Sequence, residues 1–394
     1  MVMPDRQTMA FIRRGEGMIG IGEVTRHKAT SIADAEQWWR ETTAQVEVLA
    51  QLSGEEPAGA GFVAFGSFVF DPDNTPAQSV LVVPELIIGR RNGRAWRTMI
   101  TSSEQTAAAP GDGVEPICSP GAIRYADGAF SGLEWEQMVA ETVRRITSGA
   151  VDKVVMAREL IAQADNPVDP RWLVSRLAAD YEACWTYHVD GLIGATPEML
   201  IRRENGLATS RVLAGTIRRS ADDTQDLALA ASLAQSSKDL QEHEYAVASV
   251  AEALTPFCSG MNVPDAPYVL ELPNVLHLAT DVTAVADEGS SSLAMAAALH
   301  PSAAVCGTPT DLARSTIAEL EHLDRNRYAG PVGWIDSDGD GEWAIALRCG
   351  KIDADEPRQI RLYAGCGIVA DSDPAAELAE STAKLVPMRD ALGS

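Results

Sequence analysis

The sequence predicts an α+β fold with mainly antiparallel sheets, and three observations carry that prediction. Strand-like and helical segments are mixed along the chain without the regular strand–helix alternation of a parallel sheet. No period of 20–50 residues recurs, which argues against a solenoid or propeller. The 394 residues, 46% of them hydrophobic, are enough to bury a large core in one big domain or in two.

The elements follow from local pattern. Residues 9–25 predict a hairpin, and 31–52 predict an amphipathic helix capped near Ser31 or Asp34. The apolar runs 61–70 and 79–90 predict buried strands, while 102–121, rich in Ser, Ala, Pro and Gly, predicts a loop or linker. A helix around Trp135 leads into a strand over 153–161. A long helical stretch over 224–254 carries one interruption. Strands over 328–335, 343–352 and 359–369 precede a closing helix over 374–392.

Two formal motifs do not survive their context. Residues 15–20, GEGMIG, match G-x-G-x-x-G, but Ile21, Gly22, Glu23 and Val24 follow where a dinucleotide site needs a helix. Residues 336–341, DSDGDG, resemble the start of a calcium loop. Leu347 stands where that loop needs its bidentate Glu, so the segment predicts a polar hairpin turn.

Charge and cysteines bound the partners. Lys plus Arg number 32 against 56 Asp plus Glu, a net charge of −24 that disfavours nucleic acid and anionic lipid. An anionic substrate would then need a locally positive site, built from a cation and a few placed Arg or Lys. The six cysteines, at 118, 184, 258, 306, 349 and 366, form no C-x-x-C pair and predict buried thiols in a reducing compartment. The first residues lack a signal-peptide pattern, and no apolar run reaches the length of a membrane span, so the expected location is the cytosol.

Several polar residues sit in unusually apolar contexts. Lys153, in VDKVVMAR, reads as an outward lysine on a half-buried strand or as a desolvated base. Glu198, in GATPEML, reads as a solvated strand end or, if buried, as an acid with a raised pKa. Glu242 and Glu380 lie on separate predicted helices; each reads as a surface residue, or together they could share a hard ion such as Mg²⁺. Lys384, four residues after Glu380, is placed for an i,i+4 ion pair. Arg348 ends an apolar strand, which suits a carboxylate clamp. Gly215-Thr216 and Gly365-Cys366-Gly367 offer backbone N–H groups for close approach to an anion.

Together the segments VDKVVMAR, GATPEML, LAGTIRR, KDLQEHE, HLAT, LHPSAAVCGTP, GWIDSDGDGEWAIALRCGKI, RLYAGCGIV and ELAESTAKL resemble the chorismate-utilising enzymes. That family comprises the isochorismate, salicylate, anthranilate and aminodeoxychorismate synthases. The resemblance runs in order from about residue 130 to the end. It implies a single body of large antiparallel sheets wrapped by helices, with 1–110 as a variable N-terminal half and 122–394 as the catalytic region. It implies chorismate as substrate, Mg²⁺ as cofactor and a monomer.

Carried over by residue, the resemblance makes Lys153 the base that activates water and Glu198 the acid at the departing 4-hydroxyl. It gives Mg²⁺ to Glu242 and Glu380, and the substrate carboxylates to Arg348, Lys384 and the backbone near Gly215, Thr216 and Gly365. His277, in HLAT, lines the same cleft. Within the family, the amino-transferring branches generally carry Gln where Lys153 stands, so lysine favours water as nucleophile. Salicylate synthases share the lysine but have Thr at the position of Ala304. Ala304 therefore favours isochorismate as the released product; the alternatives are a salicylate synthase, an amino-transferring chorismate enzyme or a non-catalytic binding protein of the same fold. Whether that product would feed a siderophore, menaquinone or another pathway is left open.

Overall fold

The computed structural model describes residues 8–48, 57–102, 116–220, 222–271 and 275–393. Two large sheets dominate, and every strand pairing among the described residues is antiparallel. The first, of 11 strands, runs from Gly307–Thr308 through Lys153–Ala164, Gln359–Ile368, Cys349–Ile352, Leu192–Thr196 and Trp185–Val189. It continues through Thr8–Arg13 and Glu16–Ile21 to Leu86–Arg91 and Arg94–Met99, with Ile123–Asp127 also on Lys153–Ala164. The second, of 10 strands, centres on Leu207–Arg218, Met199–Glu204, Gly341–Ile345 and Pro331–Asp336.

Alternation along single strands explains why the sheets stack. On Thr8–Arg13, Met9 and Phe11 enter the core between the sheets, whereas Ala10 and Ile12 face the other way. That inner core gathers Phe65, Trp185, Tyr187, Trp334 and Trp343. Helices Pro170–Asp180 and Pro374–Leu392 cover the opposite face with Leu173, Leu177, Leu385 and Met388. The antiparallel sheets and helical cover agree with the predicted class. No helix among the described residues is long and apolar enough to cross a membrane.

Local chemistry sets the boundaries. Ser31 caps the first helix as predicted, accepting from the Asp34 N–H, but that helix ends at Thr43, short of the predicted residue 52. Thr42 and Thr43, with stiff β-branched side chains, form its weak last turn. The next helix, Gly132–Thr147, opens with a reciprocal capping box between Ser131 and Glu134. The long helical stretch is Asp223–Gln235 and Ser237–Leu254, interrupted at Ser236. The 336–340 segment is a tight turn between two strands, and 16–21 is one arm of a hairpin. Residues 103–115 of the predicted linker lie outside the described residues.

Three expectations need correction. The run 79–90 is two strands, Ser79–Val83 and Leu86–Arg91, in different sheets, because Pro84 breaks the ladder between them. The run 343–352 likewise splits into Gly341–Ile345 and Cys349–Ile352, again in different sheets. All six cysteines are free, as predicted, but Cys118 is exposed, in irregular chain before the strand Ile123–Asp127, and Cys258 is half-buried, on the strand Cys258–Asn262 at the edge of the second sheet.

Candidate active site

Two chain segments cross from one sheet to the other, side by side. Residues 197–198 link Leu192–Thr196 to Met199–Glu204, and residues 346–348 link Gly341–Ile345 to Cys349–Ile352. The crossings are laced together: Ile345 N–H donates to the Glu198 carbonyl at 3.0 Å, and Ala195 N–H to the Arg348 carbonyl at 3.3 Å. Arg348 therefore sits within a crossing, in the left-handed region at φ 49°, and not at the end of a strand. A non-glycine residue there carries backbone strain of order 1–3 kcal/mol, which the surrounding bonds must offset. The buried Tyr187 hydroxyl contributes by donating to the Leu347 carbonyl at 3.0 Å.

Glu198 is half-buried by accessible surface yet densely surrounded by protein atoms. Desolvation raises its carboxyl to about 7, even though the nearby charges of Arg348, Lys153 and Lys384 pull the other way. Three cations act on one carboxyl in a chain of net charge −24. Positive side chains are thus gathered around one carboxyl of a strongly acidic chain.

Lys153 opens the strand Lys153–Ala164 and is half-buried. Its side chain lies over the neighbouring strand at Gly367. A Cβ there would stand 3.0 Å from Lys153 Cε, so any larger residue would displace the lysine. Gly365, two residues earlier, is similarly constrained: a Cβ would meet the Met156 carbonyl at 2.6 Å and the Tyr328 hydroxyl at 3.0 Å.

Lys384 makes the i,i+4 pair with Glu380 at 2.7 Å, and it also donates to the Gly365 carbonyl at 2.9 Å. The i,i+4 pair is thus present, and the same ammonium ties the helix Pro374–Leu392 to the sheet and acts on Glu198 and His277. Glu380 is exposed. One ligand atom each of Cys366, Glu377 and Glu380 lies within 4.8 Å of the others, a cluster whose carboxylate oxygens suit a hard divalent ion. Glu242 lies on Ser237–Leu254 and Thr216 on Leu207–Arg218, but their side chains lie outside the described residues.

His277 is half-buried on the strand Val275–Ala286, and Thr216 is its partner in register. Burial lowers its pKa to about 4, with Arg348 and Lys384 adding to the effect and a hydrogen bond with the Gly215 backbone opposing it. The ring is therefore neutral near pH 7. Gly215 has φ +81° and lies where the register shifts between Leu213 and Thr216, so a residue with a Cβ would be strained there. Ala304 is exposed, in the loop before Gly307–Thr308, the strand that pairs with Lys153 and Val154.

Other contributors were not singled out from the sequence. Glu377 lies one turn before Glu380, and the ELAE spacing was its only signal. His243 is buried, with Nδ1 3.1 Å from the Ala214 carbonyl and Nε2 2.7 Å from Thr280 Oγ1. A carbonyl only accepts, so Nδ1 carries a proton and donates it to Ala214. His243 thereby pins the helix bearing Glu242 to the bulge bearing Gly215.

With that geometry in place, comparison with known proteins is direct. Residues 120–393 match the family described as chorismate binding enzyme. Isochorismate synthase DhbC of Bacillus subtilis is 39% identical over 272 residues, which cover 66% of this chain and 68% of that protein. Isochorismate synthase EntC of Escherichia coli is 38% identical over 264 residues, 66% of this chain and 67% of that one. Among solved structures, MenF, the menaquinone-specific isochorismate synthase from Escherichia coli, superposes with a TM-score of 0.79 at 26% identity. That match covers 98% of this chain and 88% of MenF.

Proposed function

The chain belongs to the family of chorismate binding enzymes, and from that premise we propose that it converts chorismate to isochorismate, with Lys153 as base, Glu198 as acid and Mg²⁺ as cofactor. The observation that carries the reading is Glu198: a carboxyl raised to about 7 by burial, within electrostatic reach of Lys153. An acid and a base on opposite sides of one substrate are what this displacement requires. Relatives named isochorismate synthases, at 38–39% identity, support the product.

In this reading Arg348 and Lys384 hold the substrate carboxylates through charge-assisted hydrogen bonds of about 1.5–3 kcal/mol each. In the reactive state Lys153 has given up its proton, and the free amine Nζ takes one from water as the water oxygen bonds to C2. The ring double bonds shift, the C4–O bond breaks, and Glu198 delivers its proton to the departing hydroxide, which leaves as water. One water enters and one leaves, and return of the proton from Lys153 to Glu198 completes the cycle. Glu380 and Glu242 would hold Mg²⁺, with Glu377 beside Glu380, and the ion would supply positive charge for a substrate carboxylate. Neutral His277 lines the cleft without adding charge.

Lysine at 153 and alanine at 304 separate this reading from the alternatives: lysine suits water as nucleophile, and alanine lacks the hydroxyl that accompanies pyruvate elimination. The test is product analysis of purified protein with chorismate and Mg²⁺, separating isochorismate, salicylate and anthranilate. Isochorismate as the accumulating product is expected. Salicylate with pyruvate, or anthranilate with ammonia, would replace the assignment.

A further inference from the structure

Between residues 155 and 157, the strand that begins at Lys153 has, among the described residues, no strand beside it on the edge away from Gln359–Ile368. Gly307–Thr308 covers Lys153 and Val154, and Ile123–Asp127 covers the stretch from Leu160 to Ala164. Four main-chain groups of Val155 and Ala157 are left, and each is met individually. The Cys306 carbonyl accepts from Val155 N–H at 2.9 Å, and Arg325 Nη2 donates to the Val155 carbonyl at 2.6 Å. Glu321 Oε2 accepts from Ala157 N–H at 2.7 Å, and Trp135 Nε1 donates to the Ala157 carbonyl at 3.2 Å.

Glu321 and Arg325 are joined to each other by two prongs, Nε to Oε1 at 2.6 Å and Nη2 to Oε2 at 2.8 Å. Their side chains are 0% and 4% exposed. The remaining arm, Nη1, donates to the Val305 carbonyl at 3.2 Å, next to Ala304, and the guanidinium lies 4.3 Å from the Phe70 ring centroid. Desolvating two charges is costly, so such a pair is weak evidence for stability as such. Its contacts suggest another role, since every outward hydrogen bond described runs to the main chain of the Lys153 strand or of the Ala304 loop.

We propose that the Glu321–Arg325 pair is a surrogate strand that positions Lys153 for reaction and fixes the Ala304 loop in the same act. Neither residue is placed in contact with substrate; both are positioning residues. The inference rests on Lys153 as the base. Val155 is two residues from Lys153, so slack at this edge moves Nζ relative to Glu198 and Gly367. Misplacement of about 1 Å costs on the order of 100-fold in rate.

Arg325→Lys tests the idea, because one ammonium keeps the charge opposite Glu321 but cannot hold Glu321, Val155 and Val305 in one planar fork. The expected result is a kcat lower by roughly 10–100-fold, with KM and Mg²⁺ affinity within about twofold of the parent. Faster hydrogen exchange at the Ala157 amide accompanies it. A paired Glu321→Met, Arg325→Met variant leaves no lone buried charge and stands in if the lysine variant does not fold. A kcat within about twofold of the parent in either folded variant overturns the proposal. So does a loss of rate that only follows the unfolded fraction.

Lys153→Ala separates the two readings. Full turnover there removes the base assignment and this inference with it. An inactive Lys153→Ala beside a fully active Arg325→Lys removes the surrogate strand alone.

Discussion

The two ends of the candidate site are built on opposite principles. At the sheet crossings, Glu198 is enclosed by protein, and desolvation overrides three nearby cations to keep its proton on near pH 7. At the helix Pro374–Leu392, Glu380 is exposed and already paired with Lys384. The first environment suits a carboxyl that must donate a proton. The second suits one that must stay ionised and hold a cation. In the proposed reading the same functional group would serve two purposes, with solvent access deciding which.

The sharpest way to break this contrast is to remove the base that faces the dry acid. Lys153→Ala should lower turnover by about 10⁴-fold while the melting temperature stays near the parent's. Near-normal activity would end the base assignment. Glu198→Gln keeps a hydrogen-bond donor but has no proton to give, so a loss of about 10²–10³-fold is expected. It should also erase the fall in kcat/KM expected of the parent as pH rises through about 7, where Glu198 loses its proton. A parent profile flat across that range would count against Glu198 as the acid.

Linkage gives the same group a stability signature. The folded chain holds the Glu198 proton up to about 7, whereas the unfolded chain releases it near 4.5. The stabilisation is full below 4.5 and declines as pH rises through that window. His277 has the opposite sense: its pKa falls to about 4 from 6.5, so its contribution is present above 6.5 and is lost as pH falls towards 4. Urea titrations of the parent and of Glu198→Gln across pH 5–8 would resolve the first of these.

At the wet end the effects are smaller and belong to the ion. Glu242→Ala or Glu380→Ala should raise the Mg²⁺ concentration for half-maximal activity by roughly tenfold or more, with chorismate present at saturation. An unchanged metal titration would remove these residues from the metal site. The smallest effect is expected at the exposed Ala304, where Ala304→Thr should divert a minor fraction of product to salicylate and pyruvate. A product ratio identical to the parent's would show that this position does not govern elimination.

Much of the fold was legible because burial leaves a periodic mark. The capped first helix, the 16–21 hairpin arm, the break at Ser236 and the closing helix all follow from local rules. The two misread strands share one cause. Residues 79–90 and 343–352 read as continuous strands because both halves are apolar, yet each changes sheets midway. Hydrophobic pattern records that a residue is buried, not which sheet buries it.

Candidate chemistry was legible where a residue type is costly in its context, as with Lys153, Glu198 and Arg348 in largely apolar runs. His243, Glu377 and the Glu321–Arg325 pair left little such mark, since a helix or loop of mixed polarity accommodates them without strain. Local composition was enough to specify strand and helix, the acidic surface and the polar residues set in apolar runs, because each depends on a few adjacent side chains. Which carboxyl is dry, which strand edge an ion pair completes and where two crossings bring Glu198 beside Arg348 depend on residues far apart in the chain. Desolvation and hydrogen-bond satisfaction are set by everything that surrounds a group, and they exist only once the sheets have stacked.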